Sequence, residues 1–95
     1  MIRVFLEIWP PLSEGLGKSN MSLQLKEGAA FGELLQQLTT ESPRLGERIL
    51  DTQTQRIHVG VVVVINDRLL DLVGGMSTKL NEGDKVLFLP AYQGG

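Results

Sequence analysis

Ile2, Val4, Leu6 and Ile8 alternate along the start of the chain with Arg3, Phe5, Glu7 and Trp9. A period of two marks a β-strand that buries one face, and Pro10-Pro11 ends it. From Pro11 to Asn20 the chain reads as a connection with one helical turn around Leu12 to Leu16, closed by Gly17. Met21, Leu23 and Leu25 then alternate with Ser22 and Gln24. This second strand ends at Glu27-Gly28 and is expected to pair antiparallel with the first.

The period then changes. Phe31, Leu34, Leu35 and Leu38 fall at i, i+3, i+4 and i+7, the stripe of an amphipathic helix. Glu33 suits the positive end of its dipole, but no Ser, Thr, Asp or Asn is placed to cap its start. The helix should stop by Ser42, because the residue before Pro43 avoids helical geometry. Leu45, Ile49 and Leu50 predict a further short helical piece, and Asp51 to Arg56 a polar loop. Val61 to Ile65 is β-branched throughout and suits a central strand. Asn66-Asp67 tolerates the left-handed backbone of a tight hairpin, with Leu69, Leu70 and Leu72 as the returning edge strand. Gly74-Gly75 opens a loop to Leu80, Asn81 to Asp84 form a turn, and Lys85 to Leu89 form the last strand.

Composition removes whole classes of function. Ninety-five residues make one domain. The net charge is −2, and the nine Lys and Arg are scattered singly, so no nucleic-acid patch or polybasic membrane anchor is expected. The longest apolar run, Val59 to Ile65, is far short of the roughly 20 residues that span a bilayer. Met1-Ile2-Arg3-Val4 runs directly into a strand and leaves no room for a charged leader, so a cytoplasmic protein is expected. Cysteine is absent, which excludes disulfides, thiolate metal sites and cysteine nucleophiles. His58 is the only histidine and reads as a surface residue, so no metal site or Ser-His pair is expected within one chain. Gly15-Leu16-Gly17 and Gly74-Gly75 lack the remaining spacing of a phosphate loop and read as turn glycines. No catalytic set of its own is expected.

Chemistry is left to the chain end. Gly94-Gly95 follows the apolar Val86-Leu87-Phe88-Leu89 and a spacer, Pro90-Ala91-Tyr92-Gln93. Without Cβ atoms a Gly-Gly end can thread a narrow channel, and five residues past Pro90 reach about 17 Å when extended. A domain over residues 1–90 with a tail over 91–95 could place its carboxylate inside a neighbour's active site. The plainer reading is a frayed terminus.

The order of motifs favours the first reading. Val64-Ile65-Asn66-Asp67, then Leu80-Asn81-Glu82-Gly83-Asp84-Lys85-Val86, then Leu89-Pro90-Ala91-Tyr92-Gln93-Gly94-Gly95, resembles the ubiquitin-like sulfur carriers along essentially the whole chain. The likeness is greater to the small subunit of molybdopterin synthase than to the carrier of thiazole biosynthesis. Asn66 matches the hairpin Asn common in that family. Leu80, Gly83 and Asp84 match its turn before the last strand. Departures are a longer Asp71 to Lys79 segment and Ala91 in place of a second proline.

The resemblance implies an α+β, β-grasp fold: a mixed sheet of four to five strands, its first and last strands parallel at the centre, wrapped around the Phe31–Leu38 helix. It implies a sulfur carrier, not an enzyme, for cofactor biosynthesis of the molybdopterin type. An adenylating enzyme would use ATP and Mg²⁺ to activate Gly95, and sulfur from a persulfide donor would then displace AMP to leave a thiocarboxylate. The carrier would next dock on an acceptor enzyme such as a molybdopterin synthase large subunit. Gly94, Gln93 and Tyr92 would thread the partner's active site, although Tyr92 could equally pack on its own domain. The chain itself would bind no cofactor. The alternative is a ubiquitin-like modifier joined to lysines through Gly95. If Val4, Leu6, Val86 and Phe88 point inward, then Phe5, Leu87 and Leu89 point outward and form an apolar partner-binding patch; the alternative is that loops partly cover them.

Overall fold

The computed structural model describes residues 1–91. The opening alternation becomes strand β1 (Ile2–Ile8), whose even-numbered residues are buried and whose odd-numbered ones are exposed. Strand β2 (Asn20–Leu25) pairs antiparallel with it, Val4 opposite Leu23 and Phe5 opposite Ser22. Helix α1 (Phe31–Glu41) buries Phe31, Leu34, Leu35 and Leu38, the stripe read from the sequence. Its N-cap, Ala30, makes no side-chain cap bond, and at its other end the Ser42 N–H donates to the Leu38 carbonyl at 2.7 Å. Helix α2 (Pro43–Ile49) follows at once, with Pro43 in the first turn, where a missing N–H is no loss.

The two helices meet at Gly46. A Cβ there would lie 2.6 Å from Thr39 Oγ1 and 2.8 Å from Thr39 Cα, and a backbone atom cannot swing aside. Gly46→Ala should gain about 1 kcal/mol of helix propensity yet lose about 1–3 kcal/mol to overpacking. A denaturant melt should therefore show net destabilisation. A more stable variant would mean that the helices can separate at little cost.

The second half departs from expectation in two places. The polar stretch Asp51 to Arg56 is not wholly loop: β3 (Leu50–Asp51) pairs with β4 (Arg56–Ile57), and only the residues between them turn. Asp51 Oδ1 accepts the Gln53 N–H at 2.9 Å, a local bond that favours a turn over an open loop. Strand β5 (Val61–Ile65) lies inside the sheet with a partner on each side, as expected of a β-branched run; Val63 and Ile65 are buried while Val61, Val62 and Val64 are half-buried. The returning strand β6 is only Arg68–Leu69. Leu70 begins a helical turn, α3 (Leu70–Val73), which buries Leu70 and leaves Leu72 79% exposed. Leucine is a good helix former, and Gly74, at φ 132°, ends the turn. The Asn66-Asp67 hairpin is as read, both residues having positive φ. A 3₁₀ turn (Gly75–Ser77) leads toward β7 (Lys85–Pro90).

The main sheet runs β2-β1-β7-β5-β6, with β1 and β7 parallel at its centre and the other pairs antiparallel. Its inner face closes over α1, where the Phe31 and Phe88 rings lie 6.3 Å apart, tilted by 38°. Among the described residues no helix is long and apolar enough to cross a membrane.

Candidate partner-docking face and the approach to the tail

The placement of β7 decides where the chain end can act. Two turns clamp its start. Asn66 donates from Nδ2 to Asp84 Oδ1 at 2.8 Å, and its Oδ1 accepts the Lys85 N–H at 3.0 Å. Asp84, itself buried, uses Oδ2 to accept the Asn81 N–H at 2.8 Å. The hairpin of β5 and β6 is thereby tied to the turn that launches β7, which fixes the strand's register. At its far end, the Ala91 N–H donates to the Gly60 carbonyl at 2.8 Å. Tyr92, Gln93, Gly94 and Gly95, the residues assigned to threading and to the reactive carboxylate, lie outside the described residues.

Phe5, Leu87 and Leu89 do share the outer face of the sheet. Val86 and Phe88 are fully buried on the inner face, so Leu87 and Leu89, both half-buried, point the other way with Phe5, which is 45% exposed. In register, Phe5 pairs with Lys85 and Glu7 with Leu87, so Phe5 and Leu87 are diagonal neighbours across β1 and β7.

The patch is wider than those three residues. Val62 pairs with Leu89, and Val64 pairs with Leu87 on one side and Leu69 on the other, which extends the apolar face across β5 to β6. Trp9, 49% exposed, continues it beyond β1, with its backbone N–H donating to the Phe88 carbonyl at 3.0 Å. Sequence reading missed Val62 and Val64 because a run of five β-branched residues has no period to mark which side chains face out. A shallow groove on this face is lined by Phe5, Glu7, Asn20, Ser22, Lys85 and Leu87.

His58 lies in a loop, one ring nitrogen 3.1 Å from the Glu47 carbonyl. Gly15, Gly17, Gly74 and Gly75 all have positive φ, as turns require. Among the described residues no three His, Asp or Glu side chains converge as a metal site.

A mixed sheet with parallel central strands, wrapped on one helix and leading its last strand toward the chain terminus, defines a ubiquitin-like β-grasp domain. Residues 11–95 match the ThiS family, and the chain belongs to it. It is similar to the sulfur carrier protein CysO of Mycobacterium tuberculosis, at 30% identity over 69 residues, 72% of this chain and 74% of that protein. It is also similar to small archaeal modifier protein 3 of Haloferax volcanii, at 28% identity over 90 residues, 95% of this chain and 96% of that one. A chain of the Amycolatopsis orientalis BexX/CysO complex superposes with a TM-score of 0.77 at 25% identity, over 97% of this chain and 99% of that chain. The protein is thus a sulfur carrier of the ThiS and CysO kind.

Proposed function

We propose that sulfur travels on the Gly95 carboxylate as a thiocarboxylate and is delivered to an acceptor enzyme of the molybdopterin synthase type. The observation that carries this reading is that the ThiS-family match runs through Gly94 and Gly95 to residue 95. A carboxylate resists nucleophiles because its charge repels them and oxide is a poor leaving group. Activation must therefore come first, and a partner enzyme supplies it: ATP with Mg²⁺ turns the Gly95 carboxylate into an acyl-adenylate and releases pyrophosphate. The terminal sulfur of a persulfide attacks the carbonyl carbon and expels AMP. Cleavage of the resulting acyl disulfide by a thiol leaves the thiocarboxylate. The chain is the substrate in these steps, not the catalyst. Its lack of cysteine fits, since no thiol of its own competes for the acyl group.

The outer face of the sheet would dock the activating and acceptor enzymes in turn, with Phe5, Leu87 and Leu89 as anchors and Val62, Val64 and Leu69 beside them. Tyr92, Gln93 and Gly94 would thread the enzyme's channel. Incubation with the adenylating enzyme of the same organism, ATP, Mg²⁺ and a persulfide donor should exchange one oxygen for sulfur, read by intact mass and localised to the C-terminal peptide. No exchange with any adenylating enzyme of that organism would overturn the carrier reading.

One observation favours a second reading. The similarity to small archaeal modifier protein 3 covers 95% of this chain, and a modifier would form an isopeptide bond from the same activated Gly95. Trypsin cuts after Lys85, the last basic residue. Conjugates in cell extracts would therefore appear as lysines bearing residues 86–95.

A further inference from the structure

Glu7 stands out on the proposed docking face because it is a carboxylate with apolar neighbours on three sides and only Asn20 of β2 as a polar one. Phe5 and Trp9 flank it along the chain, and Leu87 lies directly across in β7. It is exposed, and its Oε2 accepts a single long hydrogen bond, from the Trp9 indole N–H at 3.3 Å. Lys85 is on the same face beside Phe5, yet it does not pair with Glu7; the one ion pair among the described residues is Lys26–Glu33, at 3.6 Å.

An enzyme that covers this face strips water from Glu7. Removing water from an unpaired carboxylate costs several kcal/mol, so a tight partner must bring a cation to it. Position adds to this. β7 runs parallel to β1, so Trp9 and Ala91 leave the sheet at the same end. Any enzyme that holds Gly95 in its active site must approach that end. A guanidinium suits the pair better than an ammonium, since its fork meets a carboxylate while its plane stacks on an indole.

We propose that Glu7 and Trp9 together receive an arginine side chain presented by the activating enzyme, and that this contact selects the partner. The inference rests on the activation of Gly95 proposed above, and it holds for a sulfur carrier or a modifier, since both need that enzyme.

The test uses the full-length chain and the adenylating enzyme that turns it over. Glu7→Gln should weaken binding about tenfold and flatten its dependence on salt. Glu7→Arg should weaken binding further, by placing like charges together. Glu33→Gln, which removes the same charge from the helix side, serves as the control and should bind as the wild type does. Trp9 is the only tryptophan, so 5-fluorotryptophan gives a single ¹⁹F resonance, which should shift on complex formation and shift less with Glu7→Gln. Wild-type affinity and salt slope in Glu7→Gln, with an unmoved ¹⁹F signal, would overturn this inference while leaving the activation of Gly95 intact. Failure of the wild-type chain to be adenylated at all would instead remove the reading beneath it.

Discussion

Phe88→Ala should cost about 3–5 kcal/mol, the usual loss for a large aromatic cut from a core. A domain of this size holds stability only at the lower end of the 5–15 kcal/mol range, so the variant should be largely unfolded or close to it. The ring is fully buried, packs on Phe31, and sits on the central strand between Ile8 of β1 and Val63 of β5. Truncation there removes apolar contact and leaves a cavity that three rigid elements cannot close. Leu89→Ala, one residue on and half-buried on the opposite face, should cost far less stability but weaken binding to the activating or acceptor enzyme. Phe5→Ala should behave in the same way. Denaturant melts and binding titrations on the three variants decide the matter. If Leu89→Ala unfolds the protein while Phe88→Ala loses only a partner, the register of β7 is off by one residue.

The inward and outward placement of these side chains was legible in the sequence because β1 and β7 are each one-sided. Ile2, Val4, Leu6 and Ile8 announce a period, and Val86 and Phe88 fit beside them once the two strands are neighbours. The helix stripe from Phe31 to Leu38 is equally local, as is the need for positive φ at Asn66-Asp67. Where two features competed, the reading failed. The run from Val61 to Ile65 offers no period, so its outer members, Val62 and Val64, were not assigned to the docking face. Leu69, Leu70 and Leu72 are apolar enough for a strand, yet Leu70 turns into the core by starting a helical turn. The bond from Asn66 to Asp84 spans 18 positions and depends on the packed sheet. Nothing short of the fold could show that the hairpin asparagine also sets the start of the last strand. The same holds for Glu7 and Trp9: alternation put both outward, but only the assembled face shows an exposed carboxylate flanked by Phe5, Trp9 and Leu87.

Deleting Gly94 and Gly95 should abolish sulfur transfer and leave stability within about 0.5 kcal/mol of the full chain. The two halves of this expectation have separate causes. All the buried apolar residues among those described lie between Ile2 and Phe88, and β7 is complete at Pro90. Cutting the last two residues removes none of those side chains. Activity should fail for a geometric reason, not an energetic one. The shortened chain ends at Gln93, whose side chain cannot follow where two residues without Cβ atoms would pass, and its carboxylate stops about 7 Å short of where Gly95 would place it. Binding to the activating enzyme should survive in part if, as proposed, the sheet face docks independently of the tail. A thermal melt, a binding titration and the intact-mass assay on one variant therefore read three distinct quantities. Lost sulfur exchange with a retained melting temperature and measurable binding supports a docked body that delivers a reactive end. A large drop in melting temperature would mean that the terminal residues belong to the fold, and retained exchange would mean that sulfur is carried somewhere other than Gly95.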